Sequence, residues 1–269
     1  MSIVSVNILG GLGNQLFQIA AGYAYARREK GTLQIEHIKT NGNRPLYWDT
    51  ILHRIQPYLV SSLPSLDSWY EPAPTMFGEM GTLPQQGKYL RGYLQSSKYF
   101  YNDEIKEEIR ELFQAPPYLV EQVKTKYADL IEKKDRVVLV HCRRTDYITY
   151  QHVHGPLQAS YYKEAIKRIM EKVENPIFLL CGDDSSFWNE IRKEIQPVWE
   201  NEHRILDETD VHTFILLQQF QNVIMSNSTF IWWTTWLSQA KNVIAPSQWF
   251  GPAGPREWED IYEPSWQRV

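Results

Sequence analysis

The chain has two cysteines in 269 residues, and its chemistry is first narrowed by what it lacks. Cys142 and Cys181 show no C-x-x-C and no Cys/His ligand spacing, so neither a disulfide framework nor a structural zinc is expected, and a reducing compartment is the default. Cys142 lies between His141 and Arg143, but that adjacency alone does not make a nucleophile. There is no excess of basic charge: 28 Lys and Arg against 32 Asp and Glu leave a formal charge of −4, which argues against a nucleic-acid or anionic-membrane binder. The apolar start SIVSVNIL has no basic segment before it and is too short for a secretory core or a membrane span. A cytoplasmic protein without a membrane span is the expectation. A Walker lysine loop is missing, and glycines at 10, 11 and 13 break the G-x-G-x-x-G spacing. An ATPase, a kinase and an NAD-binding enzyme are therefore disfavoured.

What is present is a chain with 43% hydrophobic residues, ample for two modest α/β domains. Ile3 to Leu9 reads as a strand running into the glycines and then a helix through Leu16, Phe17, Ala20, Ala21 and Ala24. Residues 30 to 100, with prolines at 45, 57, 64, 72, 74 and 84, predict only short strands and loops. Asn102 or Asp103 caps a helix through Phe113, and Pro116 and Pro117 restart another that stops at EKKD. A domain boundary near Lys133 to Asp135 follows, giving domains 1–134 and 135–269. Beyond it, apolar strands at 137–141, 177–181, 203–206, 222–226 and 242–245 alternate with helical segments, which implies a parallel sheet with helices on both faces. The Pro- and Trp-rich tail from Pro246 is expected to fold back across the domain junction.

The most informative stretch is VVLVHCRRTDY at 137–147. Its aliphatic run predicts a buried strand that stops at His141 and delivers Arg143, Arg144 and Asp146 at its carboxyl end, where open α/β sheets bind ligands. Guanidinium forks match phosphate oxygens bidentately, so the pair reads as a diphosphate clamp, with a structural salt bridge as the plain alternative. Past a second strand, LCGDDSSFW supplies Asp183 and Asp184; Asp184 or Ser185 should cap a helix, and Asp183 suits a hydroxyl or the basic pair. With no third ligand nearby, no metal is assigned to them. Past a third strand, SNSTFIWW aims Ser228 and Thr229, followed by Phe230, at the same edge. Strand ends carrying RR, DD and ST form one polar rim suited to a nucleotide diphosphate. GGLGNQLFQ at 10–18 sets Gly11, Asn14 and Gln15 at a helix N-terminus, which attracts anions, although a tight turn alone would also explain it. His152 and His154 fall in a predicted loop, YQHVHGPL, with His154 as an acid/base candidate.

Taken in order, GGLGNQLFQ, GYLQSSKYF, HCRRTDY, SYYKEAI, GDDSSFW, NSTFIWW and VIAPSQWF resemble the landmarks of the α-1,2-fucosyltransferases of glycosyltransferase family 11, over nearly the whole chain. The resemblance implies a GT-B-like α/β fold of two Rossmann-like domains facing a cleft, with GDP-L-fucose held by the C-terminal half. It further implies metal-independent transfer, with inversion, to a glycan acceptor, the 2-hydroxyl of a terminal galactose or a related sugar. Under it Arg143 and Arg144 bind the diphosphate, His141 and Asp146 shape the pocket, and Asn14 faces the fucose or the acceptor hydroxyl. Two positions depart from the family pattern. Thr145 stands where glycine is usual, and Thr213 stands where an acidic residue is common, so either guanine recognition falls to Asp210 or His212 or the nucleotide differs. The position of the base in core fucosyltransferases aligns with Gln151, so Asp146, then His154, are the base candidates. A transferase of another GDP-linked deoxyhexose and a non-catalytic nucleotide- or glycan-binding module are the alternatives. Acceptor choice is expected to reside in residues 40–100.

Overall fold

The computed structural model describes residues 2–269. They form two compact units: the chain up to Pro116 with Glu257–Glu263, and Pro117–Arg256 with Pro264–Val269. The division falls at Pro116/Pro117, ahead of the charged stop at Lys133 to Asp135. The helices between these points belong to the second unit, where Tyr127 donates to Glu208 over 3.0 Å.

In the first unit β1 (Ile3–Val6) runs through a glycine turn into α1 (Leu12–Arg28). There follow β2 (Thr32–Leu33), β3 (Ile35–Glu36), β4 (Leu59–Val60), β5 (Asp67–Tyr70), β6 (Lys88–Arg91) and α2 (Asp103–Leu112). Four of these strands make a parallel sheet in the order β2-β1-β6-β5, and β3 pairs with β4. Leu16, Phe17, Ala20 and Ala24 of α1 are buried as the helical spacing predicts. Asn102 caps α2 by accepting from the Glu104 and Ile105 amides, which satisfies donors that the first turn leaves without intrahelical partners.

The second unit alternates strand and helix: α3 (Pro117–Lys126), α4 (Ala128–Ile131), β7 (Val137–Cys142), α5 (Thr145–Thr149), α6 (Gln151–His154), α7 (Ala159–Met170), β8 (Ile177–Gly182), α8 (Ser186–Glu190), α9 (Gln196–Glu200), β9 (His203–Ile205), α10 (Asp210–Leu217), β10 (Asn222–Ile224), α11 (Thr229–Leu237), β11 (Asn242–Ala245) and β12 (Gln267–Arg268). Six strands lie parallel in the order β12-β11-β10-β7-β8-β9. On one face Val138, Val140, Phe178 and Leu180 pack with Tyr162, Ile166 and Ile169 of α7 and with Trp188. The intervening Leu139, Leu179 and Val223 are fully buried on the other face. Burial on both faces explains why these strands read as continuous aliphatic runs, each large side chain contributing roughly 1.5–3 kcal/mol.

The tail crosses between the two units, as expected of the segment from Pro246. Glu257–Glu263 belongs to the first unit, with Ile261 buried, and Gln267–Arg268 adds an edge strand to the second sheet.

β8 ends on Gly182, whose φ of +136° and lack of space are both restrictive: a Cβ there would lie 2.2 Å from the Cys142 carbonyl oxygen. Gly182→Ala is expected to destabilise the second unit by roughly 2–4 kcal/mol through combined backbone strain and overlap. A lowered urea midpoint with an unchanged slope checks this; a wild-type midpoint refutes it.

Candidate functional site

The order β10-β7-β8 sets three loops side by side at the carboxyl edge of the second sheet. They carry the ST, RR and DD groups. Asp183 connects two of them. Its Oδ1 accepts from the Arg144 amide at 2.7 Å, and its Oδ2 accepts from the Thr145 amide at 3.3 Å and the Thr145 hydroxyl at 2.6 Å. The same Oδ2 lies 3.0 Å from Arg143 Nη1. Arg143 Nη2 donates to Asp146 Oδ2 at 2.8 Å, so its fork is fixed between two carboxylates. Burial alone would lower the Arg143 pKa, but Asp183 and Asp146 more than offset it and raise the pKa.

Arg144 is engaged differently. Its guanidinium stands 3.9 Å over the Phe187 ring, 3.4 Å from Asp184 Oδ2, and reaches the Leu157 carbonyl at 3.5 Å. Asp184 Oδ1 meanwhile accepts from the Ser186 hydroxyl and the Phe187 amide, which caps α8. Arg144 thus packs into the loop that Arg143 borders.

His141 is 4% exposed, its Nδ1 lies 2.8 Å from Ser226 Oγ, and its ring stacks on Phe230 at 6.2 Å. Burial pushes its pKa down to about 4, with Arg143 adding to the effect and Asp183 opposing it. It is a neutral imidazole at neutral pH. Ser228 caps α11 by accepting from the Phe230 amide, and Thr229 is the first helical residue, so the positive end of the α11 dipole opens at the rim.

Residues 145–154, expected to include a loop around the histidines, form α5 and α6 instead. Asn227 explains why that segment holds together. Its Nδ2 donates to the carbonyls of His154, Gly155 and Trp249, while Tyr147 donates to its carbonyl at 2.9 Å. The His154 ring is stacked on Tyr147 at 4.5 Å. Such a three-way tie has no local sequence signature.

Asp210 opens α10 and is exposed. The preceding Glu208, which the sequence reading did not single out, accepts from Lys126, Tyr127 and the Thr209 amide, and lies 3.4 Å from His212 Nδ1. Burial alone would raise the Glu208 pKa; Lys126, the Thr209 amide and Tyr127 pull it down to about 2. A carboxylate hub therefore anchors the start of α10, with His212 attached to it.

In the first unit, Gly10 has φ +74° and its missing Cβ makes room for Asn14, whose Nδ2 would lie 2.5 Å from that atom. At Gly11 an added Cβ meets nothing within 4 Å; packing does not demand glycine there, and the bare backbone stays open to approach. Gln15 is fully buried and donates to the Gly10 and Pro45 carbonyls, so its side chain shapes the loop from inside. Asn14 Oδ1 accepts from Gln95 Nε2 at 2.9 Å.

Residues 65–269 match the model of Glycosyl transferase family 11. An alpha-1,2-colitosyltransferase of Escherichia coli is 26% identical over 100% of this chain and 99% of its own length. Among solved structures, POFUT1 in complex with GDP aligns with a TM-score of 0.55 at 13% identity, covering 88% of this chain and 95% of that one. NodZ alpha-1,6-fucosyltransferase soaked with GDP-fucose aligns with a TM-score of 0.55 at 12% identity, covering 88% and 93%. The fold is the GT-B-like α/β fold of these structures, and the relatives are sugar-transferring enzymes, which removes the non-catalytic module from the alternatives. Among the described residues no helix is long and apolar enough to cross a membrane.

A buried neutral histidine links stability to pH. Between the ordinary value of 6.5 and about 4, the unfolded chain takes up a proton that the folded chain refuses, so stability falls as pH drops through that window. The full loss from this group is roughly 3 kcal/mol. Urea unfolding across the window should show a shallower acid loss for His141→Gln than for wild type; parallel curves would contradict a buried neutral imidazole.

Proposed function

Because the chain belongs to glycosyl transferase family 11, we propose that it moves L-fucose from GDP-L-fucose to a sugar hydroxyl, forming an α-1,2 linkage with inversion and without a metal. The observation that carries this reading is the fixed fork of Arg143, held at 2.8 Å by Asp146 and 3.0 Å by Asp183 at a central strand end. As the bond between the anomeric carbon and the phosphate oxygen breaks, negative charge grows on the departing GDP, and a guanidinium already in place stabilises it without reorganising. Arg144 keeps the Asp183/Asp184 loop in register, and the Ser228/Thr229 end of α11 supplies further donors to phosphate. Phe230, stacked on His141, closes the apolar side of the nucleotide site.

The engagement of both Asp183 and Asp184 with protein donors argues for a metal-free diphosphate site. Two arginines against three aspartates (Asp146, Asp183 and Asp184) leave a formal charge of −1, so the site works by short-range directed hydrogen bonds more than by net charge. The acceptor hydroxyl loses its proton to Asp146, with His154 the next candidate; an oxocarbenium-like transition state needs only modest help there. Asn14 contacts the reacting sugar, and Asp210 or His212 meets the guanine. A second reading has a specific observation behind it: the relative aligned over nearly the whole of both chains is named an alpha-1,2-colitosyltransferase, and colitose is L-fucose without its 3-hydroxyl, so a GDP-linked colitose is the competing donor for this chain.

Arg143→Ala is expected to lower kcat by roughly 2–4 kcal/mol of barrier and, because Asp146 and Asp183 lose their guanidinium, to lower stability as well, as should Arg144→Ala. Wild-type rates for Arg143→Ala would end the diphosphate role. Asp146→Asn should slow transfer on the order of 10²–10⁴-fold if it is the base. A donor panel read by mass spectrometry, with linkage analysis of the product, tests the sugar: turnover of UDP-sugars but never GDP-sugars would overturn the donor assignment, and preference for GDP-colitose would select the second reading. EDTA should leave activity intact; complete, reversible loss would refute a metal-free reaction.

A further inference from the structure

Glu71 follows directly on β5, opposite the loop that leaves β6. Its own amide donates to the Arg91 carbonyl at 2.8 Å, and its carboxylate turns under the neighbouring chain. Oε2 accepts from the Tyr93 amide at 2.8 Å and Oε1 from the Leu94 amide at 2.9 Å. The turn is built around this carboxylate. Gly92 has φ +152°, and a Cβ there would stand 2.4 Å from the Glu71 Cβ, so only glycine lets the acid in. Leu94 adopts φ +56°, an unfavourable conformation for a branched side chain. Burial pushes the Glu71 carboxyl up to about 7 although the Leu94, Tyr93 and Gln95 amides pull it down. The fold thus bears a desolvated acid, a strained leucine and an obligatory glycine at one turn.

The result is the placement of the next residue, Gln95. Gln95 is 8% exposed and donates to Asn14 Oδ1 at 2.9 Å, which leaves the amino end of the Asn14 carboxamide on the side of Gly10. The rest of the loop is braced to α1 and β1: Gln18 Nε2 donates to the Gly92 carbonyl, Gln18 Oε1 accepts from the Leu9 amide, and Asn7 accepts from the Gly92 amide. We propose that Glu71 is a positioning residue for sugar transfer, which fixes Gln95 through the Tyr93 and Leu94 amides and, through Gln95, holds Asn14 with its amino end presented to the reacting sugar. The inference rests on the reading of Asn14 given above and adds the residue that acts through it.

The test is a double-mutant cycle on kcat and donor KM with Asn14→Ala, Glu71→Gln and the pair. Glu71→Gln keeps the shape but sets an NH₂ group against an amide donor. Asn14→Ala and Glu71→Gln should each lower kcat about tenfold with donor KM changed less than about twofold, and the pair should be no slower than Asn14→Ala alone. Penalties that multiply, or wild-type kcat in Glu71→Gln beside a slow Asn14→Ala, would overturn the role of Glu71 alone. A wild-type rate in Asn14→Ala would overturn the Asn14 reading itself, and this inference with it. If Glu71→Gln does not fold, Gln95→Ala, which leaves the Glu71 turn intact, carries the same comparison: a kcat loss absorbed by Asn14→Ala supports the relay, and an unchanged or multiplying one refutes it.

Discussion

One carboxylate, Asp183, ties the ends of β7 and β8 together, and the geometry of the second unit's rim depends on it. A single side chain accepts from two successive backbone amides, a hydroxyl and a guanidinium. Gly182 makes this possible, because its φ of +136° carries Asp183 across at a point where the Cys142 carbonyl leaves no space for a Cβ. Once the amides of Arg144 and Thr145 are bound, the chain after β7 has one path, and Arg143 emerges from it with Asp146 three residues on as its second partner. Thr145, the departure from glycine in the R-R-x-D stretch, is part of the same device, since its hydroxyl makes one of the shortest contacts to Asp183.

Charge compensation then bears on which anions the rim would suit. Three carboxylates beside two guanidiniums remove most of the long-range field, so the site cannot draw a diphosphate from afar as a basic groove would. What remains is direction: a planar fork with its orientation already set, a neutral histidine that adds no competing charge, and the positive end of the α11 dipole. Such a site favours a ligand whose charge grows at one place during reaction over any polyanion, which fits an enzyme more closely than a nucleic-acid binder. The chain's overall acidity, −4 formally, points the same way.

How much of this was legible depended on the range of the interaction. Strands buried on both faces announce themselves as aliphatic runs, so β7, β8, β10 and β11 stand within a residue or two of where Val137, Ile177, Asn222 and Asn242 place them. Their polar ends were readable for the same reason. The first unit's strands are two to four residues long and lie among prolines and turns, too short to set a period. The residues whose roles went unread are hubs: Gln18, Glu71, Glu208 and Asn227 each join segments far apart in sequence, and even where a motif contains them, as with Gln18 and Asn227, no local pattern gives the role. Gln15 illustrates the converse, since a polar residue in a glycine-rich turn looks like a ligand contact from sequence, yet its amide points inward to the Gly10 and Pro45 carbonyls. α5 and α6 were hidden because their support comes from Asn227, more than seventy residues later.

The two units solve the same problem with the same device under different electrostatics. In each, an acid just past a strand accepts two consecutive backbone amides from the loop of the adjacent strand: Asp183 for Arg144 and Thr145, Glu71 for Tyr93 and Leu94. In each, a glycine with positive φ makes the close approach possible, Gly182 in one and Gly92 in the other. Asp183 has a guanidinium at 3.0 Å to offset its desolvation. Glu71 has three amides, those of Leu94, Tyr93 and Gln95, and no cation among the causes that set its pKa, and burial carries it up to about 7. Backbone amides alone therefore hold a carboxylate in place without keeping it ionised at every physiological pH. The rim proposed to meet a diphosphate is built on the version with a guanidinium beside the acid, and the turn proposed to orient a neutral carboxamide is built on the version with backbone amides alone.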